Sequence, residues 1–169
     1  MMKSKKSTPT RNNNIVLGID PGFDRVGVAV LDKDKLLFSE CIETNRKLPH
    51  AERLLEIGEN LKNVIKKWKP GDLAIESLFF NKNITNALRV SEARGVILYH
   101  AARDEIKIYE YSPQAIKIAV TGYGKADKKQ VEMMVKRLIN IPESKARKLD
   151  DELDAIAVGI THLASIRSI

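Results

Sequence analysis

The sequence lacks several features that define whole classes of protein. Its 169 residues include a single cysteine, Cys41, which excludes an intramolecular disulfide framework and a metal site built from several cysteines. No apolar run approaches the roughly 18 residues of a membrane span. A secretory signal requires a hydrophobic segment after its basic residues, and the basic residues near this N-terminus are not followed by one. There are no internal repeats, and we expect one soluble, cytoplasmic domain.

Acidic residues are the minority charge, but the excess of basic residues is unevenly distributed. The chain has 29 Lys+Arg and 22 Asp+Glu, a net charge of +7. Residues 1–14 contain four basic residues and no acidic one, so the remainder carries 25 against 22, a net charge of +3. We expect 1–14 to be a disordered tail, or alternatively a basic arm that contacts phosphates. The net charge of the remainder does not by itself indicate a nucleic-acid partner.

Hydrophobic patterning predicts one α/β domain over residues 15–169. Three strands come first, and helices then alternate with strands, which is typical of a mixed sheet that begins with antiparallel hairpins and continues through crossover connections. A five-stranded mixed sheet flanked by helices follows from this order. The predicted strands are 15–20, 26–31, 36–44, 73–76 and 106–109, and the predicted helices are 49–68, 85–103, 112–120, 131–138 and 149–166.

Carboxylates occupy three positions where an acid is costly. Asp20 and Glu76 each close an apolar strand, and four acids occupy residues 150–154 at the start of an apolar helix. Asp154 shares a helix face with both Asp150 and Asp151, so spacing does not choose between these two. Each acid also has a plain structural interpretation, as a turn residue, a strand-edge residue or a helix cap.

A divalent cation would explain all three acidic positions together. Clustered carboxylates repel one another, and burial raises their proton affinity further. A cation relieves both penalties, and oxygen ligands suit Mg²⁺ or Mn²⁺. Two such ions can activate a water and stabilise the leaving oxygen in phosphodiester cleavage.

Four strings of sequence carry a family resemblance. They are I-V-L-G-I-D-P-G at 15–22, L-A-I-E-S-L-F-F at 73–80, A-R-G-V at 93–96 and D-E-L-D-A-I-A-V-G-I-T-H at 151–162. This ordered set resembles the RuvC family, bacterial crossover junction endodeoxyribonucleases with an RNase H-like fold. The resemblance runs from about residue 15 to residue 163, and its last string is the most specific.

The resemblance implies a catalytic site of four carboxylates that bind two Mg²⁺ ions, with Mn²⁺ as an alternative. These would be Asp20, Glu76, Asp151 and Asp154. The family's D-x-x-D register favours Asp151 over Asp150, which spacing left open.

The resemblance also implies three DNA contacts. Phe79 would stack on an unpaired base at the junction, and Lys117 and Lys128 would contact DNA near the scissile phosphate. The alternatives are a core phenylalanine and two solvated lysines. Residues 23–26 depart from the family pattern, so no role is carried onto them.

The function implied is resolution of four-way DNA junctions by paired, metal-dependent strand cleavage in recombination and repair. Two symmetric cuts require two active sites, so we expect a twofold homodimer, with helix 85–103 as a candidate interface. The family also suggests a branch-migration helicase complex as a partner. The alternatives are a junction-binding protein without cleavage activity and an actin-like phosphotransferase, which normally needs a longer chain.

Overall fold

The computed structural model describes residues 12–78, 84–141 and 150–167. Most of the predicted tail, residues 79–83 with Phe79, and residues 142–149 lie outside these ranges. Within the described ranges, no helix is long and apolar enough to cross a membrane. The elements are β1 (Asn12–Asp20), β2 (Arg25–Asp32), β3 (Lys35–Glu43), α1 (His50–Trp68), β4 (Pro70–Glu76), α2 (Ile84–Arg103), β5 (Lys107–Tyr111), α3 (Pro113–Thr121), α4 (Lys128–Leu138) and α5 (Asp150–Arg167).

The five strands form one mixed sheet in the order β3-β2-β1-β4-β5. The β1–β2 and β2–β3 pairs are antiparallel, and the β1–β4 and β4–β5 pairs are parallel. The predicted fold class, with hairpins first and crossovers afterwards, is confirmed.

Element boundaries differ from the predictions where backbone pairing does not depend on apolar side chains. Strand β1 begins three residues earlier than predicted, because the N–H of Asn12 donates to the carbonyl of Lys69 at 3.2 Å. Strand β4 begins at Pro70, directly after Lys69 ends α1 in the left-handed conformation. Ser112 caps the start of α3, because its hydroxyl accepts a hydrogen bond from the Ala115 N–H at 3.1 Å.

The two faces of the sheet carry separate cores. On β1, Leu17 and Ile19 pack with residues of α1 and α2, whereas Val16 packs with residues of α5. Since side chains alternate along a strand, Gly18 and Asp20 share the α5 face with Val16.

Helix α5 lies unusually close to the sheet because two strand residues have no side chain. A β-carbon at Gly27 would lie 1.9 Å from the carbonyl oxygen of Asp151, and one at Gly18 would lie 2.4 Å from that of Ala155. Real β-carbons do not approach backbone this closely. Glycine at both positions therefore brings the first turns of α5 against the ends of β1 and β2.

Candidate active site

The four predicted carboxylates come from three elements that meet at the carboxyl ends of the parallel strands β1 and β4. Asp20 is the last residue of β1 and Glu76 is the last residue of β4. These strands are parallel neighbours, roughly 4.8 Å apart in such sheets, with Ile19 opposite Ile75. Asp20 also pairs in register with Gly27, over which the backbone of Asp151 lies. The topology thus brings the acidic end of α5 to the two strand ends.

The electrostatics of Asp20 show that these acids act on one another. Burial, together with the charges of Glu76, Asp154 and Asp151, raises the pKa of Asp20 to about 7. Burial also raises the pKa values of Glu76 and Asp154. The site accumulates negative charge that its surroundings only partly offset.

Asp150 and Asp151 have different environments although they are adjacent. The Asp150 side chain is 66% exposed and pairs with Lys128, whereas the Asp151 side chain is 27% exposed and contributes to the raised pKa of Asp20. Asp151 is therefore the less exposed of the two and acts on Asp20, whereas the charges of both residues raise the pKa of Asp154.

Both predicted lysines line the same cleft as Glu76 and Asp154. Lys128 Nζ lies 3.3 Å from an Asp154 carboxylate oxygen and 3.4 Å from one of Asp150. Although burial lowers the pKa of Lys128, these ion pairs raise it overall. The charge of Lys117 in α3 lowers the pKa of Glu76, against the larger effect of burial. The cleft has a volume of about 230 Å³ and is lined by Glu76, Pro113, Ile116, Lys117, Lys128, Val131, Asp154 and Ala157.

Two residues at the site were not predicted from the sequence. An Arg25 guanidinium nitrogen lies 2.7 Å from an Asp151 carboxylate oxygen, and the Cys41 sulfur lies 3.6 Å from the same oxygen. A lone cysteine on a strand is commonly a fully buried small residue, whereas Cys41 is a half-buried thiol beside an acid. The alternation of side chains along a strand could have pointed to both residues. Arg25 lies two residues before Gly27 and so shares its face of the sheet, and Gly27 pairs with Cys41.

The turn that follows Asp20 is held by a buried arginine of α1. Arg53 donates to the Thr44 hydroxyl at 2.7 Å and to the Asp24 carboxylate, and its guanidinium lies 4.0 Å from the centre of the Phe23 ring. Residues 23–24 belong to the segment that departs from the family pattern. Their side chains therefore anchor the turn beside the site to α1.

The donor set fits a hard divalent cation, although its side chains are partly engaged elsewhere. Carboxylate oxygens alone suit Mg²⁺ or Mn²⁺. Across the described ranges, no three His, Cys, Asp or Glu side chains are already gathered as a metal cluster. Arg25 and Lys128 pair with Asp151 and Asp154, so a cation would have to displace these basic groups. Phe79 lies outside the described residues.

Two solved structures share this architecture and define its fold class. T. thermophilus RuvC in complex with a Holliday junction substrate superposes with a TM-score of 0.86 at 30% identity, covering 92% of this chain and 96% of the other. The yeast mitochondrial Holliday junction resolvase Ydc2 superposes with a TM-score of 0.63 at 15% identity, covering 93% of this chain and 82% of the other. The fold is RNase H-like, as the resemblance implied.

The sequence comparisons give the family. The family model described as crossover junction endodeoxyribonuclease RuvC matches residues 16–162. The crossover junction endodeoxyribonuclease RuvC of Halothermothrix orenii is 43% identical over 157 residues, covering 90% of this chain and 94% of that protein. The chain therefore belongs to the RuvC family of metal-dependent nucleases, and the predicted enzyme class is confirmed.

Proposed function

We propose that this protein resolves four-way DNA junctions by two symmetric, Mg²⁺-dependent phosphodiester cuts, within a single nuclease domain over residues 15–169. The observation that carries the proposal is that Asp20 and Glu76 end adjacent parallel strands beside the acidic first turn of α5. Such a cluster is stabilised by a bound cation. The junction-bound T. thermophilus relative supports the choice of substrate.

Each polar residue of the cleft has a role in this proposal. Asp20, Glu76, Asp151 and Asp154 would hold two Mg²⁺ ions, or Mn²⁺ in their place. When bound, such ions activate the attacking water and stabilise the leaving oxygen. Lys128, which pairs with Asp154, and Lys117 would offer their positive charges to the DNA backbone. Phe79 would stack on an unpaired base.

The cleavage assay is a synthetic mobile four-way junction, labelled on each strand and incubated with Mg²⁺. We expect paired nicks at symmetric positions. Glu76→Gln removes one carboxylate charge and should slow cleavage by more than about 100-fold. Glu59→Gln is the matched control, because Glu59 is an exposed residue of α1 that pairs with Lys62.

Two results would contradict parts of the proposal. Cleavage by Glu76→Gln at the wild-type rate would show that the assigned acids are wrong. A wild-type protein that binds the junction, leaves it intact and takes up no Mn²⁺ would be the junction-binding protein of the alternative hypothesis.

We propose further that the protein is a homodimer formed through α2. Three large apolar side chains are exposed along one face of this helix: Ile84 at 70%, Leu88 at 57% and Tyr99 at 63%. Gly95 lies on the same face, with no atom within 4 Å of the position of a β-carbon. An exposed apolar stripe with open space around it is typical of a surface that packs against a partner.

A charge on this stripe should separate the protomers. Leu88→Glu is expected to shift the protein from dimer to monomer in analytical ultracentrifugation, and to turn paired cuts into unpaired nicks. Leu55→Glu on α1 is the matched control, since Leu55 is 62% exposed. A dimer that survives Leu88→Glu would place the interface elsewhere.

The setting of the reaction follows from the substrate. We propose that the enzyme works in the bacterial cytoplasm, where the chromosomal DNA is. The branch-migration helicase complex that the family resemblance suggests is proposed as its partner there.

A further inference from the structure

A buried histidine links α5 to the two strands beneath its C-terminal half. His162 is completely buried. Its Nε2 lies 3.2 Å from an Asp72 carboxylate oxygen, and its Nδ1 lies 2.8 Å from the Tyr111 hydroxyl. A carboxylate only accepts hydrogen bonds, so Nε2–H donates to Asp72, and in the neutral ring Nδ1 accepts from Tyr111. Both ring nitrogens are therefore satisfied, each by a different strand.

The ring of His162 is also held from the side. Its centroid lies 4.4 Å from that of Tyr109. Tyr109 and Tyr111 are two residues apart on β5, so both face α5. The imidazole thus has contacts on β4 and β5 that restrict it along the strands as well as across them.

Strand β4 carries this contact and a catalytic carboxylate on the same face. Asp72 and Glu76 are four residues apart, an even spacing that points both toward α5. Four residues of strand span about 13 Å. On α5, Asp154 and His162 are eight residues apart, which spans about 12 Å of helix. The near match explains how α5 places His162 at Asp72 and Asp154 near Glu76, with which Asp154 interacts electrostatically.

Tyr111 extends the link to the segment that follows Glu76. It pairs in register with Glu76 across β4 and β5. Its carbonyl accepts from the Ser77 N–H at 2.8 Å and from the Ser77 hydroxyl at 3.0 Å. One residue therefore contacts His162 through its side chain and the end of β4 through its backbone.

We propose that His162 is a positioning residue that sets the position of α5 along β4, and thereby holds Asp154 opposite Glu76 for metal binding. This inference rests on the proposed function, because it assumes that these carboxylates bind the metal. His162 itself contacts neither metal nor DNA. Its loss would let α5 slide along the sheet and spread the two carboxylates.

The test is Mn²⁺ binding by the DNA-free protein, measured by calorimetry and by electron paramagnetic resonance. His162→Leu removes both hydrogen bonds and should weaken Mn²⁺ binding by about tenfold. Tyr111→Phe keeps the ring and removes one hydrogen bond, so a smaller loss is expected. Asp72→Asn can still accept from Nε2–H through its amide oxygen and should retain wild-type affinity.

A destabilised control separates positioning from general loss of stability. Ile57→Val removes a methylene group from the core on the other face of the sheet and should lower the melting temperature without changing Mn²⁺ affinity. In cleavage assays, the positioning variants should need more Mg²⁺ for half-maximal rate and recover at saturating Mg²⁺.

The outcomes distinguish this inference from the proposed function. If wild type binds Mn²⁺ and folded His162→Leu binds it equally well, the positioning role is overturned while the proposed function stands. If His162→Leu does not fold, Tyr111→Phe decides in the same way. If wild type binds no Mn²⁺, the metal site itself is overturned.

Discussion

Replacing Gly27 by alanine tests whether the close approach of α5 builds the site. Gly27 is buried on β2 and contributes no side chain to the chemistry. Its position matters because a β-carbon there would lie 1.9 Å from the carbonyl oxygen of Asp151 and 2.7 Å from its carbonyl carbon. These are backbone atoms, so no side chain can rotate to relieve the clash. The first turn of α5 must move instead.

The size of the movement follows from the contact distance. Ordinary contacts of a β-carbon begin near 3.4 Å, so α5 must retreat by about 1.5 Å at Asp151. A misplacement of about 1 Å can lower a catalysed rate by about 100-fold. We therefore expect Gly27→Ala to lose at least this factor in cleavage. Overpacking of this kind also costs about 1–3 kcal/mol of stability.

The assay is single-turnover cleavage of a labelled junction at saturating protein, with junction binding measured separately in EDTA. Binding should persist, because the two lysines proposed to contact DNA lie on α3 and α4. Gly58→Ala is the matched control: its β-carbon would lie 2.9 Å from His100 Nε2, on the opposite face of the sheet. It should lower stability but leave cleavage intact. If folded Gly27→Ala cleaves at the wild-type rate, the close approach of α5 to Gly27 is not what positions the acids.

Two further predictions concern the charges of the site. The pKa of Asp20 rises from 3.8 to about 7 on folding, so between these values the folded protein holds a proton that the unfolded chain has released. The metal-free protein should therefore lose stability as pH rises through this window, by up to about 4 kcal/mol at roughly 1.4 kcal/mol per pKa unit. Thermal denaturation in EDTA at pH 5 and pH 8 measures this, and Asp20→Asn should lack that part of the dependence; an equal dependence in both proteins would contradict it. Arg25→Gln removes a cation 2.7 Å from Asp151 and should tighten Mn²⁺ binding in calorimetry, because the metal no longer has to displace the guanidinium from that carboxylate. Weaker binding would instead show that Arg25 orients Asp151.

Much of the fold could be predicted because strand and helix periodicity are local properties. The apolar run before Asp20 and the three- and four-residue spacing of α1 identify their elements without reference to the rest of the chain. The predicted start of β1 was less accurate. Asn12 pairs with Lys69, the residue before β4, through backbone groups alone. The pattern of apolar side chains carries no information about such a contact.

The candidate site could likewise be predicted from the sequence only in part. Asp20 and Glu76 stood out because each ends an apolar strand, and the acids of α5 stood out as a cluster. Arg25 and His162 did not, since their contacts join residues 126 and 90 positions apart in the chain, Asp151 and Asp72 respectively. The partners of His162, Asp72 and Tyr111, could not be read from spacing along the chain.

The elements, their order, the family and the four candidate acids could all be read from the sequence, because they depend on local pattern and on strings of residues. The spatial arrangement of these acids, in contrast, depends on tertiary contacts. Glycines at 18 and 27 are unremarkable in the sequence, yet they set the distance between α5 and the sheet. That distance decides which carboxylates face one another, because electrostatic interaction and metal binding depend on separation in space rather than along the chain.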